Sequence, residues 1–106
     1  MSADSRLTNQ PEQTPLFGFK SVQGLVSIII VAYHNEVGIS SCLASIFKKS
    51  SGMVEVLVVD NSRNDLTIQC VQNFMDLYPH LPIILLPQAK NLGFAKGCNV
   101  GARYAR

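Results

Sequence analysis

Three short runs of aliphatic, largely β-branched residues recur along this chain at a fixed interval, and helical patterns fill the spaces between them. The runs are Val26-Ser27-Ile28-Ile29-Ile30-Val31-Ala32, Val54-Glu55-Val56-Leu57-Val58-Val59 and Pro82-Ile83-Ile84-Leu85-Leu86. Near-continuous apolar runs of this length are how strands buried on both faces read, and such strands belong to parallel sheets. A parallel pair cannot be joined by a tight turn and needs a crossover, usually a helix. The intervening segments supply it. Ile39, Cys42, Leu43, Ile46 and Phe47 fall on one helical stripe. Cys70, Val71, Phe74, Leu77 and Tyr78 form a second, which Pro79 and Pro82 close. Phe94, Cys98, Ala102 and Ala105 make a thinner third. Cys42, Cys70 and Cys98 repeat the strand interval without residue-level duplication, so the period is architectural and matches the roughly 30 residues of a βαβ unit. The predicted fold is α/β, a Rossmann-like parallel sheet of βαβαβα units joined by right-handed crossovers.

This organisation starts near residue 24. Residues 1–23 are rich in Ser, Gln, Pro, Thr and Asn, with Pro11 and Pro15 breaking any periodicity, and are expected to be a flexible tail. Phe17 and Phe19 offer the alternative of docking on the domain or a partner. The folded domain is expected over residues 24–106. With 47% hydrophobic and 15% charged residues, the 106-residue chain reads as globular. A net charge of +2, with Lys48-Lys49 as its densest basic spot, gives no reason to expect a nucleic-acid partner. The longest apolar stretch, Leu25 to Tyr33, falls far short of the roughly 20 residues that span a bilayer, so no transmembrane segment is expected. Met1-Ser2-Ala3-Asp4 lacks the charged-then-apolar layout of a signal peptide. An odd number of cysteines, three, with no C-x-x-C pair, makes no disulfide framework. The expected location is cytoplasmic, with the inner face of the membrane as an alternative.

Ligands of open parallel sheets bind beyond the carboxyl ends of the strands. Those ends carry Ala32-Tyr33-His34-Asn35-Glu36, then Asp60-Asn61-Ser62-Arg63-Asn64-Asp65, then Gln88-Ala89-Lys90-Asn91-Leu92-Gly93. The fold brings these three polar clusters to one edge. Common nucleotide motifs are absent: no G-x-x-x-x-G-K-[ST] and no G-x-G-x-x-G follows a strand. Two histidines without paired cysteines give no zinc site, and no nucleophilic set can be assembled. Gly93, Gly97 and Gly101 recur at every fourth residue, a spacing read as close approach of a helix to the sheet and of a loop to a ligand.

The segments at the strand ends read together as a family. Val26 to Glu36, followed by Val58-Val59-Asp60-Asn61-Ser62-Arg63-Asn64-Asp65, resembles the opening of the GT-A glycosyltransferases of family 2. There V-S-[IV]-I-[IV]-x-[TA]-Y-N precedes an aliphatic strand ending in D-[DN]-x-S-x-D. Asn91-Leu92-Gly93-Phe94-Ala95-Lys96-Gly97-Cys98-Asn99 is similar to a stretch found in rhamnosyltransferase-like members. The resemblance covers Leu25 to Arg106. It implies a glycosyltransferase of polysaccharide biosynthesis that takes a UDP- or dTDP-sugar and passes the sugar, with inversion, to a saccharide or lipid-linked acceptor. The alternative is a non-catalytic nucleotide-binding or interaction module left from a disrupted gene.

The resemblance also implies roles for single residues. Tyr33 lies near the nucleobase, Glu36 close to the ribose or base, and Asp60, with Asn61 beside it, takes the pyrimidine N3–H. Lys90, Asn91, Gly93 and Lys96 stand where the donor's diphosphate or base is approached. Each has a plainer alternative. Tyr33 closes a strand, Asp60 steadies its own loop, Asn64, Asp65 or Asn91 caps a helix, and Lys96 is a solvated charge. The chain departs from the pattern at His34, which interrupts the Y-N pair, at Ala32, a position often threonine, and at Arg63 and Asn64, where small Ser or Thr is common. Full-length members bind Mg²⁺ or Mn²⁺ through a later D-x-D-like motif and use a still later carboxylate as base. Both are expected beyond Arg106, so no catalytic or metal-binding residue is assigned in this chain. The first strand, without its further neighbour, is expected to leave an apolar edge open to self-association.

Overall fold

The computed structural model describes residues 24–50 and 53–106, so the expected tail, Phe17 and Phe19 included, lies outside the described residues. The elements alternate: β1 (Val26–Ala32), α1 (Ile39–Lys49), β2 (Val54–Asp60), α2 (Leu66–Leu77), β3 (Ile83–Pro87) and α3 (Gly93–Tyr104). The strands form a 3-stranded parallel sheet in the order β1-β2-β3. The fold is the predicted Rossmann-like α/β arrangement. Val26 pairs with Val54 and Ala32 with Asp60, while Asp60 also pairs with Pro87, so all three strands finish in one row.

Side chains alternate across the sheet. Ile28, Ile30, Val54, Val56, Val58 and Ile83 face α1 and α2, where Ile39, Leu43, Val71 and Phe74 complete the main core. The other face of β1 and β2 takes α3. There Gly97 and Gly101 stand over Val31 and Ile29, so close that no side chain fits between helix and strand. Two helices thus cover one face of the sheet and the third covers the other.

Burial differs from the sequence reading in places that geometry explains. Only β2, between two neighbours, is buried from Glu55 to Asp60. β1 lies at the edge of the described sheet, so Val26 is 58% exposed and residues 27–31 are only partly covered. On α1, Cys42 is exposed. On α2, Leu77 and Tyr78 lie at the end of the helix and are exposed, Tyr78 only resting its ring on Phe74. The third stripe is replaced: Phe94 and Ala102 are exposed, and the buried face of α3 is Gly97 and Gly101.

Two carboxylates are buried on β2, Asp60 at its end and Glu55 near its start. Glu55 is 0% exposed and accepts hydrogen bonds from the Ser27 hydroxyl at 2.6 Å, the Arg106 backbone N–H at 2.7 Å and Arg106 Nε at 3.1 Å. These donors satisfy a carboxylate whose burial is otherwise costly, and they hold the end of α3 against β2.

Candidate functional site

Because the strands end together, three loops leave the sheet from one edge, after Ala32, Asp60 and Pro87. A buried carboxylate stands among them. Asp60 is 1% exposed, and its Oδ1 accepts the Ser62 hydroxyl at 2.6 Å and, more weakly, the Ser62 N–H at 3.3 Å. Its Oδ2 accepts no hydrogen bond among the described residues. Most buried polar atoms find a partner, and an ionised carboxylate is an acceptor only. Oδ2 is therefore the acceptor of this cluster that the described residues leave open.

The first loop is tied to the second by two parallel relays. His34 has φ 53°, in the left-handed region that histidine enters more readily than most residues. Its N–H donates to Ser62 Oγ at 2.7 Å, and its Nε2 accepts the Arg63 N–H at 3.4 Å. The departures from the family pattern at His34 and Arg63 thus touch each other. One residue on, the Asn35 N–H donates to Thr67 Oγ1 at 3.0 Å, and that hydroxyl donates to Glu36 Oε1 at 3.3 Å. In each relay a backbone N–H engages a hydroxyl that donates to a carboxylate. Tyr33 is 42% exposed. Its ring meets the His34 imidazole edge-to-face with centroids 4.3 Å apart, and its N–H donates to Asn35 Oδ1 at 2.7 Å.

Asn61 joins the second loop to the third. It is 2% exposed; its Nδ2 donates to Gly93 O at 3.2 Å, and its Oδ1 accepts the Leu92 N–H at 3.4 Å. Each end of this amide thus has one partner in the third loop. Gly93 has φ 82° with open space where a Cβ would stand, so glycine is needed there for its backbone and not for room. Asn91 Oδ1 accepts the Gly93 N–H at 2.8 Å at the start of α3, and Asn64 Oδ1 accepts the Leu66 N–H at 3.1 Å at the start of α2. Each asparagine thus forms a side-chain turn one residue ahead of the N-cap, Asp65 or Leu92, and is not itself the cap. Lys90 and Lys96 are exposed and form no ion pair among the described residues. Tyr33, Glu36, Asp60, Asn61, Asn91 and Gly93 all belong to this bonded set of loops, whereas the two lysines stand beside it.

The sequence reading gives no role to Ser62 or Thr67, yet these hydroxyls hold both carboxylates. The visible signal was short hydroxyl residues next to an acidic strand end, where they bond neighbouring backbone and acceptors. At the opposite end of the sheet an apolar hollow of about 400 Å³ is lined by Leu25, Phe47, Ser50, Met53, Val54, Leu81 and Pro82. It offers a ligand no charged group.

Residues 27–106 match the family described as glycosyl transferase family 2. The chain belongs to that family. An uncharacterized glycosyltransferase of Haemophilus influenzae (strain ATCC 51907 / DSM 11121 / KW20 / Rd) is 31% identical over 77 residues, which are 73% of this chain and 23% of that protein. Among solved structures, the mannosyltransferase PcManGT from Pyrobaculum calidifontis, in complex with GDP-Man and Mn²⁺, aligns with a TM-score of 0.72 at 26% identity. That alignment covers 76% of this chain and 24% of the mannosyltransferase. The family 2 chain described here thus spans about a quarter of the length of either protein.

The mannosyltransferase structure holds Mn²⁺ with its nucleotide sugar, which fits the metal expected for the family. The described residues do not make such a site. Among the described residues no three His, Cys, Asp or Glu side chains come together in a group able to hold a metal ion. Asp60 and Glu36 each have one oxygen engaged by a hydroxyl. No described helix is long and apolar enough to cross a membrane.

Proposed function

We propose that residues 24–106 are the donor-binding part of a rhamnosyltransferase-like family 2 enzyme. The enzyme takes a UDP- or dTDP-sugar and transfers the sugar with inversion to a saccharide or lipid-linked acceptor. The observation that carries the reading is Asp60, buried at a strand end with Oδ2 lacking a protein donor. Uracil and thymine present N3–H, a donor, to such an acceptor. Adenine and cytosine present a lone pair there, which a carboxylate repels.

The remaining residues take their places around that contact. The half-exposed Tyr33 ring, steadied by His34, lies beside the base. Glu36, fixed through Thr67, faces the ribose. Asn61 acts indirectly by clamping the third loop against β2, and Asn91 shapes the turn at Gly93. Lys90, Lys96 and the positive end of the α3 dipole suit the diphosphate, since helix starts favour anions. Three free cysteines fit a reducing compartment, the cytoplasm or the inner face of the membrane. The metal carboxylates and the base that deprotonates the acceptor are no part of these residues. These 106 residues alone are accordingly assigned binding and not transfer.

A second reading is favoured by the GDP-Man in the related mannosyltransferase. Guanine also turns donors, N1–H and N2–H₂, toward an acceptor. Calorimetric titration with UDP, dTDP, GDP and ADP tests both. UDP and dTDP are expected to bind best, and Asp60→Ala to cost about 1.5–3 kcal/mol, the range for hydrogen bonds to charged groups. Equal affinity for UDP and ADP, or an Asp60→Ala variant that binds UDP like the wild type, contradicts the assignment.

A further inference from the structure

We propose that Ser62 determines which base the site accepts, by occupying one oxygen of Asp60 and leaving a single acceptor for the ligand. The inference rests on the reading of Asp60 as the base-contacting carboxylate. It concerns selectivity within that reading and comes from the hydrogen-bond geometry of this chain.

Ser62 Oγ has one proton and three neighbours: Asp60 Oδ1 at 2.6 Å, the His34 N–H at 2.7 Å and Thr67 Oγ1 at 3.4 Å. The His34 amide can only donate, so it takes a lone pair of the hydroxyl. The proton is then free for the carboxylate, and the short distance marks a charge-assisted bond. Thr67 competes only weakly: its Oγ1 stands 3.4 Å away against 2.6 Å for Asp60, and it is neutral where Asp60 is charged. Ser62 is thus locked as a donor to Oδ1. The lock depends on the left-handed backbone of His34, which aims its N–H at the second loop.

The consequence is chemical. A carboxylate with both oxygens free matches the adjacent N1–H and N2–H₂ of guanine in a two-bond contact. With Oδ1 taken by both the Ser62 hydroxyl and the Ser62 N–H, this carboxylate keeps Oδ2 as its open acceptor and offers one good bond. That suffices for the lone N3–H of uracil or thymine, while guanine is left with a desolvated N2–H₂. Sites discriminate strongly when a buried polar group of the wrong ligand goes unpaired. Ser62 therefore acts as a specificity-determining positioning residue, contributing against guanine as well as toward the pyrimidines.

The test is a titration of the 106-residue chain with UDP, GDP and ADP, read by ¹H–¹⁵N NMR so that millimolar affinities are measurable. Wild type, Asp60→Ala, Ser62→Ala and Ser62→Thr are compared. Ser62→Ala is expected to bind UDP more weakly and GDP more tightly, lowering the UDP-to-GDP preference by about tenfold or more, the worth of one hydrogen bond to a charged group. Ser62→Thr, which keeps the hydroxyl, is expected to hold the wild-type preference. A purely structural role for Ser62 predicts equal losses for both nucleotides, and that result overturns the inference. An unchanged preference in Ser62→Ala, or a wild type that binds GDP as well as UDP, overturns it too. Failure of the underlying reading looks different: the wild type then shows no preference for UDP over ADP, or none that Asp60→Ala removes.

Discussion

Glu55 shows how a buried carboxylate is held in so small a sheet. Its carboxylate is fully covered, but of its three donors two belong to backbone or hydroxyl groups and only one to the Arg106 guanidinium. The Arg106 side chain is 52% exposed, so water screens the ion pair and its share is small. Most of the stabilisation then lies in the Ser27 and Arg106 N–H contacts, which a change at Arg106 leaves in place. Glu55→Ala strands both donors and is expected to destabilise by about 1–3 kcal/mol. Arg106→Ala is expected to cost less than about 1 kcal/mol. Denaturant unfolding of the two variants is the check. Equal costs would show that the ion pair, and not the buried hydrogen bonds, holds the end of α3.

Among the elements, α3 depends on the absence of side chains. A Cβ at Gly97 would meet Val31 Cγ1 at 2.8 Å, and one at Gly101 would press into Ile29 Cγ2. Alanine favours a helix over glycine by about 1 kcal/mol, whereas overpacking a close contact costs about 1–3 kcal/mol. At Gly101 the branched Ile29 side chain must shift, so the steric cost wins. Gly101→Ala is expected to lower the melting temperature, by roughly 4–8 °C for each kcal/mol in a domain of this size. A melting temperature at or above that of the wild type would mean that Ile29 yields cheaply. The same helix shows where sequence stops being legible. β1, β2 and the buried face of α1 announce themselves through large apolar residues, because burial there is a matter of side-chain area. On α3 the buried face is two glycines, which carry no hydrophobic signal, so Phe94 and Ala102 draw attention to the wrong side. The candidate site divides in the same way. Asp60, Tyr33 and Gly93 stand at strand and helix ends where the fold alone says to look. The duties of Ser62, Thr67 and Asn61 are tertiary, set by partners some 30 residues distant, and their spacing along the chain reveals nothing of them.

At the scale of the whole molecule, the two ends of the sheet differ in chemistry. The carboxyl edge gathers the Ser62–Asp60 and Thr67–Glu36 relays and the glycine turn of the third loop. The amino edge is apolar, with Phe47, Met53 and Leu81 around its hollow. After two helices on one face, α3 crosses the other and lies over β1 and β2. A strand following it by a right-handed crossover would pair with β1, cover the half-exposed Val26 edge and enclose the loops further. The central claim is that the nucleotide is read at the carboxyl edge, with Asp60 at its centre. Amide chemical shifts of the ¹⁵N-labelled chain, followed on addition of UDP, test it most directly. The account predicts perturbations concentrated at Tyr33 to Glu36, Asp60 to Ser62 and Gly93 to Lys96, with Phe47, Met53 and Leu81 unmoved. Shifts centred on the apolar hollow, or spread evenly over the sheet, would contradict it.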